Sequence, residues 1–149
     1  LVGRMNYLAV RAAAASGCVG SVGIDFVLGQ DTWAIEVNPR FQATVDTVEA
    51  STGVSLFSLH LDACRGILPA DVPGSHCCSV REILFAERDM VLSEDLSRFA
   101  PRVTDIPWPG TEYEEGQAVV SVLGTGVDRR GALQDLGNTL NKLKRYTGG

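Results

Sequence analysis

The sequence predicts an α+β fold, an antiparallel sheet with helices packed against it. Three observations predict it. The chain opens on an alanine-rich stretch with helical character. Two strand-like segments, residues 20–28 and 33–38, follow, joined by a turn so short that they must run antiparallel. The chain closes on a helix whose leucines recur at helical spacing.

Each element has its own warrant. Residues 3–16 hold no interior proline or glycine and read as a helix stopped by Gly17. Gly29-Gln30-Asp31-Thr32 reads as the turn between the two strands. Pro39 and Arg40 lead out of the second strand into a loop. Helical pattern resumes near Asp46 and again over residues 55–65, closed by Gly66. Residues 68–75 carry two prolines and a glycine and read as a linker. Residues 79–85 and 90–92 predict a hairpin turning at Glu87-Arg88-Asp89, and residues 118–123 a short apolar strand. The last helix spans residues 130–146, with Leu133, Leu136, Leu140 and Leu143 as its core stripe. Two parts result, residues 1–69 and a β-rich extension over 70–149 that ends in a helix.

Composition narrows the function classes. With 149 residues, 45% hydrophobic and 21% charged, the chain has the make-up of an ordinary soluble protein. A net charge of -5 and a pI near 4.9 argue against a nucleic-acid partner. Apolar runs fall short of a membrane span of about 20 residues. The start at Leu1, already in helical pattern and with no signal-peptide pattern, reads as a piece of a longer protein. The 4 cysteines, Cys18, Cys64, Cys77 and Cys78, lack zinc-site spacing and read as buried, reduced thiols of a cytoplasmic protein. His60 reads as a packing histidine, and His76 beside two cysteines as too small a cluster for a metal.

The stretch "WAIEVNPRF" carries the chemistry. A two-residue or a four-residue loop in the hairpin gives one register. Leu28 then faces Trp33, Phe26 faces Ile35 and Ile24 faces Val37, three apolar pairs on one face. On the other face Asp25 opposes Glu36 and Gly23 opposes Asn38. Directly opposed carboxylates have Cβ atoms about 5 Å apart, so they need a shared proton or a cation. Magnesium accepts hard oxygen ligands, and Asn38 offers a carbonyl oxygen on the same face. Gly23 leaves room for a ligand, and Arg40 places a planar donor at the strand exit, suited to phosphate or carboxylate. The plainer reading makes Asp25 and Glu36 solvated residues on an outer face.

These residues resemble a known family. "GSVGIDFVL" followed by "WAIEVNPRFQATVDTVEASTGVSLFSLHLDACRGILP" is similar to the C-terminal half of the ATP-grasp domain over residues 20–69. The branch it resembles is that of biotin carboxylase and carbamoyl-phosphate synthetase, with their archaeal carboligase-like relatives. The resemblance implies ATP and magnesium (or manganese) as cofactors and a carboxylate joined to an amine or thiol through an acyl-phosphate. It implies metal binding by Asp25, Glu36 and Asn38, with Glu36 bridging two ions. It places Arg40 against the transferred phosphate or the acyl substrate, as the catalytic residue.

The departures sharpen it. Gln42 matches the carboxylases, but Thr44 stands where they carry a glutamate base for bicarbonate. Gly23 stands where D-alanine ligases commonly place an arginine. The family's N-terminal half would supply a glycine-containing phosphate loop and two lysines, whereas this chain has lysines only at Lys142 and Lys144. "GTG" at residues 124–126 is too short to serve as a phosphate loop. The second half echoes the carboxylases' C-terminal extension, where Arg81 either reaches the acyl site or pairs with Glu82 or Glu87. Glu49 either lines the site or is a solvated helix residue, and residues 112–116 form an acidic turn. The expected partners are ATP, a carboxylate and an amine, and the rest of the parent chain; a homodimer is compatible. The alternatives are bicarbonate carboxylation, which Thr44 disfavours, and a non-catalytic module retaining the fold.

Overall fold

The computed structural model describes residues 1–146. The chain divides into two compact units, Leu1–Val45 with Val54–Pro73, and Asp46–Gly53 with the chain from Gly74 onward.

In the first unit, α1 (Val2–Ser16) ends on Gly17, whose φ of 67° is the left-handed cap that a residue without Cβ adopts freely. β1 (Gly23–Leu28) and β2 (Thr32–Asn38) form an antiparallel pair. Contacts with β2 and an Arg4–Asp31 ion pair of 3.2 Å hold α1 to it. Beyond α2 (Val45–Thr52), nearly all of which belongs to the second unit, comes α3 (Leu56–Cys64). Ser55 caps α3, its hydroxyl accepting from the Ser58 N–H at 3.2 Å.

The hairpin register matches the sequence reading at the open end and departs from it at the turn. Gly23 pairs with Asn38, Ile24 with Val37 and Asp25 with Glu36. A break then falls between Asp25 and Phe26, and Phe26 pairs with Ala34, Val27 with Trp33 and Leu28 with Thr32. Ile35 is the extra residue of a β-bulge. The loop holds three residues, Gly29 to Asp31, rather than two or four, and the bulge absorbs the odd count. Trp33 therefore leaves the face of Ile24 and Phe26. It is 64% exposed and Ile35 62%, so the apolar pairs expected around them do not form.

The second unit carries the buried core. β3 (Cys78–Phe85), β4 (Met90–Leu92), β5 (Val103–Thr104), β6 (Thr111–Tyr113), β7 (Ala118–Gly126) and α4 (Arg129–Leu143) make two sheets and a helix. The order is β3-β7-β5 in one sheet and β4-β6 in the other. The hairpin expected between residues 79–85 and 90–92 is absent. β7 is longer than the sequence pattern indicates and offers β3 a full-length partner, while the short β4 finds an equal in β6. Ala86 exchanges backbone hydrogen bonds with Gln117 and Gly116, both 2.9 Å, and the chain then crosses to the second sheet.

Leu92, Leu96, Val103, Val120, Val122 and Leu143 are fully buried. On α4 the buried positions are Ala132, Leu136, Thr139 and Leu143, whereas Leu133 is 42% exposed. The expected stripe is rotated because the helix lies close on β7. A Cβ at Gly124 would stand 2.4 Å from the Ala132 carbonyl oxygen, and one at Gly126 2.3 Å from the Ala132 nitrogen. The "GTG" glycines are thus helix-packing residues. Asp128 caps α4, accepting from the Gly131 N–H at 2.8 Å.

None of the cysteines is paired or buried. Cys64 is exposed and Cys18, Cys77 and Cys78 are half-buried, which corrects the reading of buried thiols.

Candidate functional site

The first unit brings together the residues that the sequence singled out. The ladder sets Asp25 opposite Glu36 and Gly23 opposite Asn38, four residues of one face by strand alternation. Asp25 and Glu36 are exposed, while Asn38 is only 8% exposed. Asn38 Nδ2 donates to Asp25 Oδ2 at 3.1 Å, a diagonal link that gives one carboxylate a donor beside the other. The bulge begins just past this pair, so the predicted register holds where the polar cluster sits.

Arg40 leaves the strand end exposed. Its N–H donates to the Asn38 carbonyl at 2.8 Å, making a tight exit turn, and its Nη1 donates to the Phe41 carbonyl at 3.2 Å. Its remaining guanidinium donors are available to an anion. Gln42, noted in the sequence only for its place in a motif, donates through Nε2 to the carbonyls of Arg40 at 3.0 Å and Asn38 at 3.4 Å. The space over Gly23 is not open to a ligand, because the Gln42 side chain fills it. A Cβ on Gly23 would lie 2.2 Å from Gln42 Cδ.

His60 packs as expected. Its Nδ1 accepts from the Ser21 N–H at 3.0 Å and its ring lies 5.0 Å from that of Phe41. The backbone donor assigns the neutral imidazole its proton on Nε2, which points toward Cys64 Sγ at 3.8 Å.

Arg81 belongs to the second unit and pairs with neither Glu82 nor Glu87. Its Nη2 donates to Asp105 Oδ2 at 2.8 Å and to Ser121 Oγ at 2.5 Å, and its Nε lies 3.7 Å from Asp46 Oδ2. Thr104 Oγ1 also donates to Asp46 Oδ2, at 3.0 Å. The Ser121 hydroxyl, above all, with Arg81 beside it, holds the Asp105 carboxyl below the usual range, against a smaller opposing effect of burial. Asp105 has a φ of 56°, a left-handed backbone that aspartate tolerates better than most side chains. Asp105 and Ser121 had no sequence signal, since chain folding alone brings them to Arg81. Glu49 lines a cavity of about 540 Å³ in this unit with Asp46, Arg102 and Thr104.

Among the described residues, no group of three or more His, Cys, Asp or Glu side chains could hold a metal ion. The donor set over β1 and β2 is two carboxylates and one amide. No helix among them is long and apolar enough to cross a membrane.

Residues 2–44, which include α1, the hairpin and Arg40, match the sequence model of an ATP-grasp domain. The described fold resembles the urea carboxylase of Kluyveromyces lactis, with a TM-score of 0.63 and 21% identity over 82% of this chain and 12% of that one. It also resembles a single-chain, multi-domain long-chain acyl-CoA carboxylase, with a TM-score of 0.65 and 24% identity over 90% of this chain and 17% of that one. The chain has the fold of the matching parts of these two enzymes. It is similar, too, to N5-carboxyaminoimidazole ribonucleotide synthetase from Thermotoga maritima, with a TM-score of 0.63 and 17% identity over 94% of this chain and 40% of that one. The chain thus spans less than half the length of each of these neighbours. No curated protein matches it.

Proposed function

We propose that the protein is part of an ATP- and magnesium-dependent ATP-grasp ligase, in which a carboxylate is activated as an acyl-phosphate and then joined to an amine or thiol. One observation carries this reading: Asp25 pairs with Glu36 across the hairpin, with Asn38 bonded to Asp25 and Arg40 at the exit of the same strand. The four lie within the segment that matches the ATP-grasp domain.

The residues fit the metal. Magnesium takes one or two carboxylates and completes an octahedron with water and phosphate oxygens, so a shelf of two carboxylates and an amide suffices beside ATP. Asp25, Glu36 and Asn38 would hold magnesium or manganese through their carboxylate and amide oxygens. When bound, the metal neutralises charge on the transferring phosphate. Arg40 would hold the phosphoryl oxygens or the acyl group with its free guanidinium donors. The rest of the parent chain would grip the nucleotide, and the free thiols and the need for ATP suit a cytoplasmic location.

The test is Glu36→Gln in the full-length parent. Glutamine keeps the size and removes the charge, so ATP hydrolysis is expected to fall by about 100-fold or more with the fold retained. Unchanged hydrolysis would leave the non-catalytic module. A second reading, carboxylation of bicarbonate, is favoured by the carboxylase neighbours and opposed by Thr44. Hydrolysis stimulated by bicarbonate alone would select it.

A further inference from the structure

We infer that Gln42 is a positioning residue whose side-chain amide staples the Asn38–Arg40 exit turn, and that Gly23 lacks a side chain in order to make room for it. The inference rests on the proposed role of Asn38 and Arg40 for its functional consequence, and on geometry for the staple itself. One amide nitrogen holds two carbonyls, those of Asn38 and Arg40, at 3.4 and 3.0 Å. The Asn38 carbonyl also accepts from the Arg40 N–H at 2.8 Å, so the same turn is tied from the backbone and from a side chain. The staple fixes the direction in which Arg40 leaves the strand and the rotation of the nearly buried Asn38.

Gly23 completes the device. It sits opposite Asn38 in the ladder, and Gln42 lies over it. A Cβ there would stand 2.2 Å from Gln42 Cδ, 2.3 Å from Nε2 and 2.6 Å from Cγ. Those atoms are the far part of a flexible side chain, so Gly23→Ala would evict the amide rather than break the hairpin. Gln42→Met removes the donor and keeps the bulk. Gln42→Ala removes the side chain and clears the space that a Cβ at position 23 would need.

The test is a cycle of Gly23→Ala, Gln42→Ala and the double variant, with Gln42→Met alongside. In the parent enzyme each single change is expected to lower kcat by about tenfold, with little change in the KM for ATP and in Tm, because the turn is misaimed while the fold is kept. The double variant should be no worse than the singles to within about twofold, since both remove one staple. In the 149-residue chain, the backbone amide resonances of Arg40 and Phe41 should shift alike in Gly23→Ala and Gln42→Met. Independent, multiplying losses in the double variant, a loss of kcat only in step with Tm, or unmoved resonances would each overturn the inference. The resonances need no catalysis, so they separate failure of the staple from failure of the ligase reading, which Glu36→Gln tests.

Discussion

A carboxylate's partners decide what its charge does for the molecule. Asp25 and Glu36 face each other in the open, with Asn38 as the donor beside them. Asp135 is different. Its carboxyl is held below the usual range first by the Thr125 N–H at 3.0 Å and then by Arg102, against partial burial. A depressed carboxyl stabilises the fold fully above its unfolded value of 3.8, and that contribution is lost as pH falls through the lower folded value. Asp135→Asn is therefore expected to cost about 1 kcal/mol at pH 7, from the weakened links to Thr125 and Arg102. The gap from the parent should narrow near pH 3. Urea melts at the two pH values check this, and an equal gap at both would refute it.

Among the elements, α4 and β7 show how closely a helix can lie on a strand when the strand omits side chains. Gly124 and Gly126 let the backbone of α4 approach, and Ala132 and Leu136 settle against them. A methyl at position 124 would meet the Ala132 carbonyl oxygen at 2.4 Å and the Leu136 nitrogen at 2.6 Å. Neither backbone atom can swing aside, unlike the side chain that meets Gly23. Gly124→Ala is expected to destabilise the second unit by about 2–3 kcal/mol, read as a lowered denaturation midpoint. A midpoint within error of the parent's would show that the helix floats free of β7. The β1–β2 hairpin illustrates the opposite economy. Its bulge at Ile35 relocates Trp33 while leaving the Asp25–Glu36 pair in register.

For the whole molecule, what matters is how much of an ATP site the chain holds. It spans 12% to 40% of three solved enzymes that share its fold. Its lysines, Lys142 and Lys144, stand at the end of α4 and just past it, in the second unit. On the proposed reading the chain contributes carboxylates and one arginine to the nucleotide. Residues 1–149 by themselves are thus expected to give no measurable magnesium-dependent heat with ATP in calorimetry at micromolar protein, where a Kd weaker than about 1 mM, or about −4 kcal/mol, is not resolved. Tight binding would mean that the adenine and phosphate grip lies inside this chain.

Reading the residues in order was enough for what depends on neighbours in the chain. Alternation placed Asp25, Glu36 and Asn38 on one face, Gly17 stopped α1, and Ser55 opened α3, because period, caps and the open-end register are local. Three-dimensional packing decided the rest. It passed β3 from its neighbour β4 to the distant β7, since a full-length strand satisfies more backbone groups than a three-residue one. It turned α4 so that Ala132, rather than Leu133, meets the glycines of β7. It gave Arg81 the partners Asp105 and Ser121, far along the sequence. It also filled the space over Gly23 with Gln42, turning an apparent opening for a ligand into the support of the turn that carries Arg40.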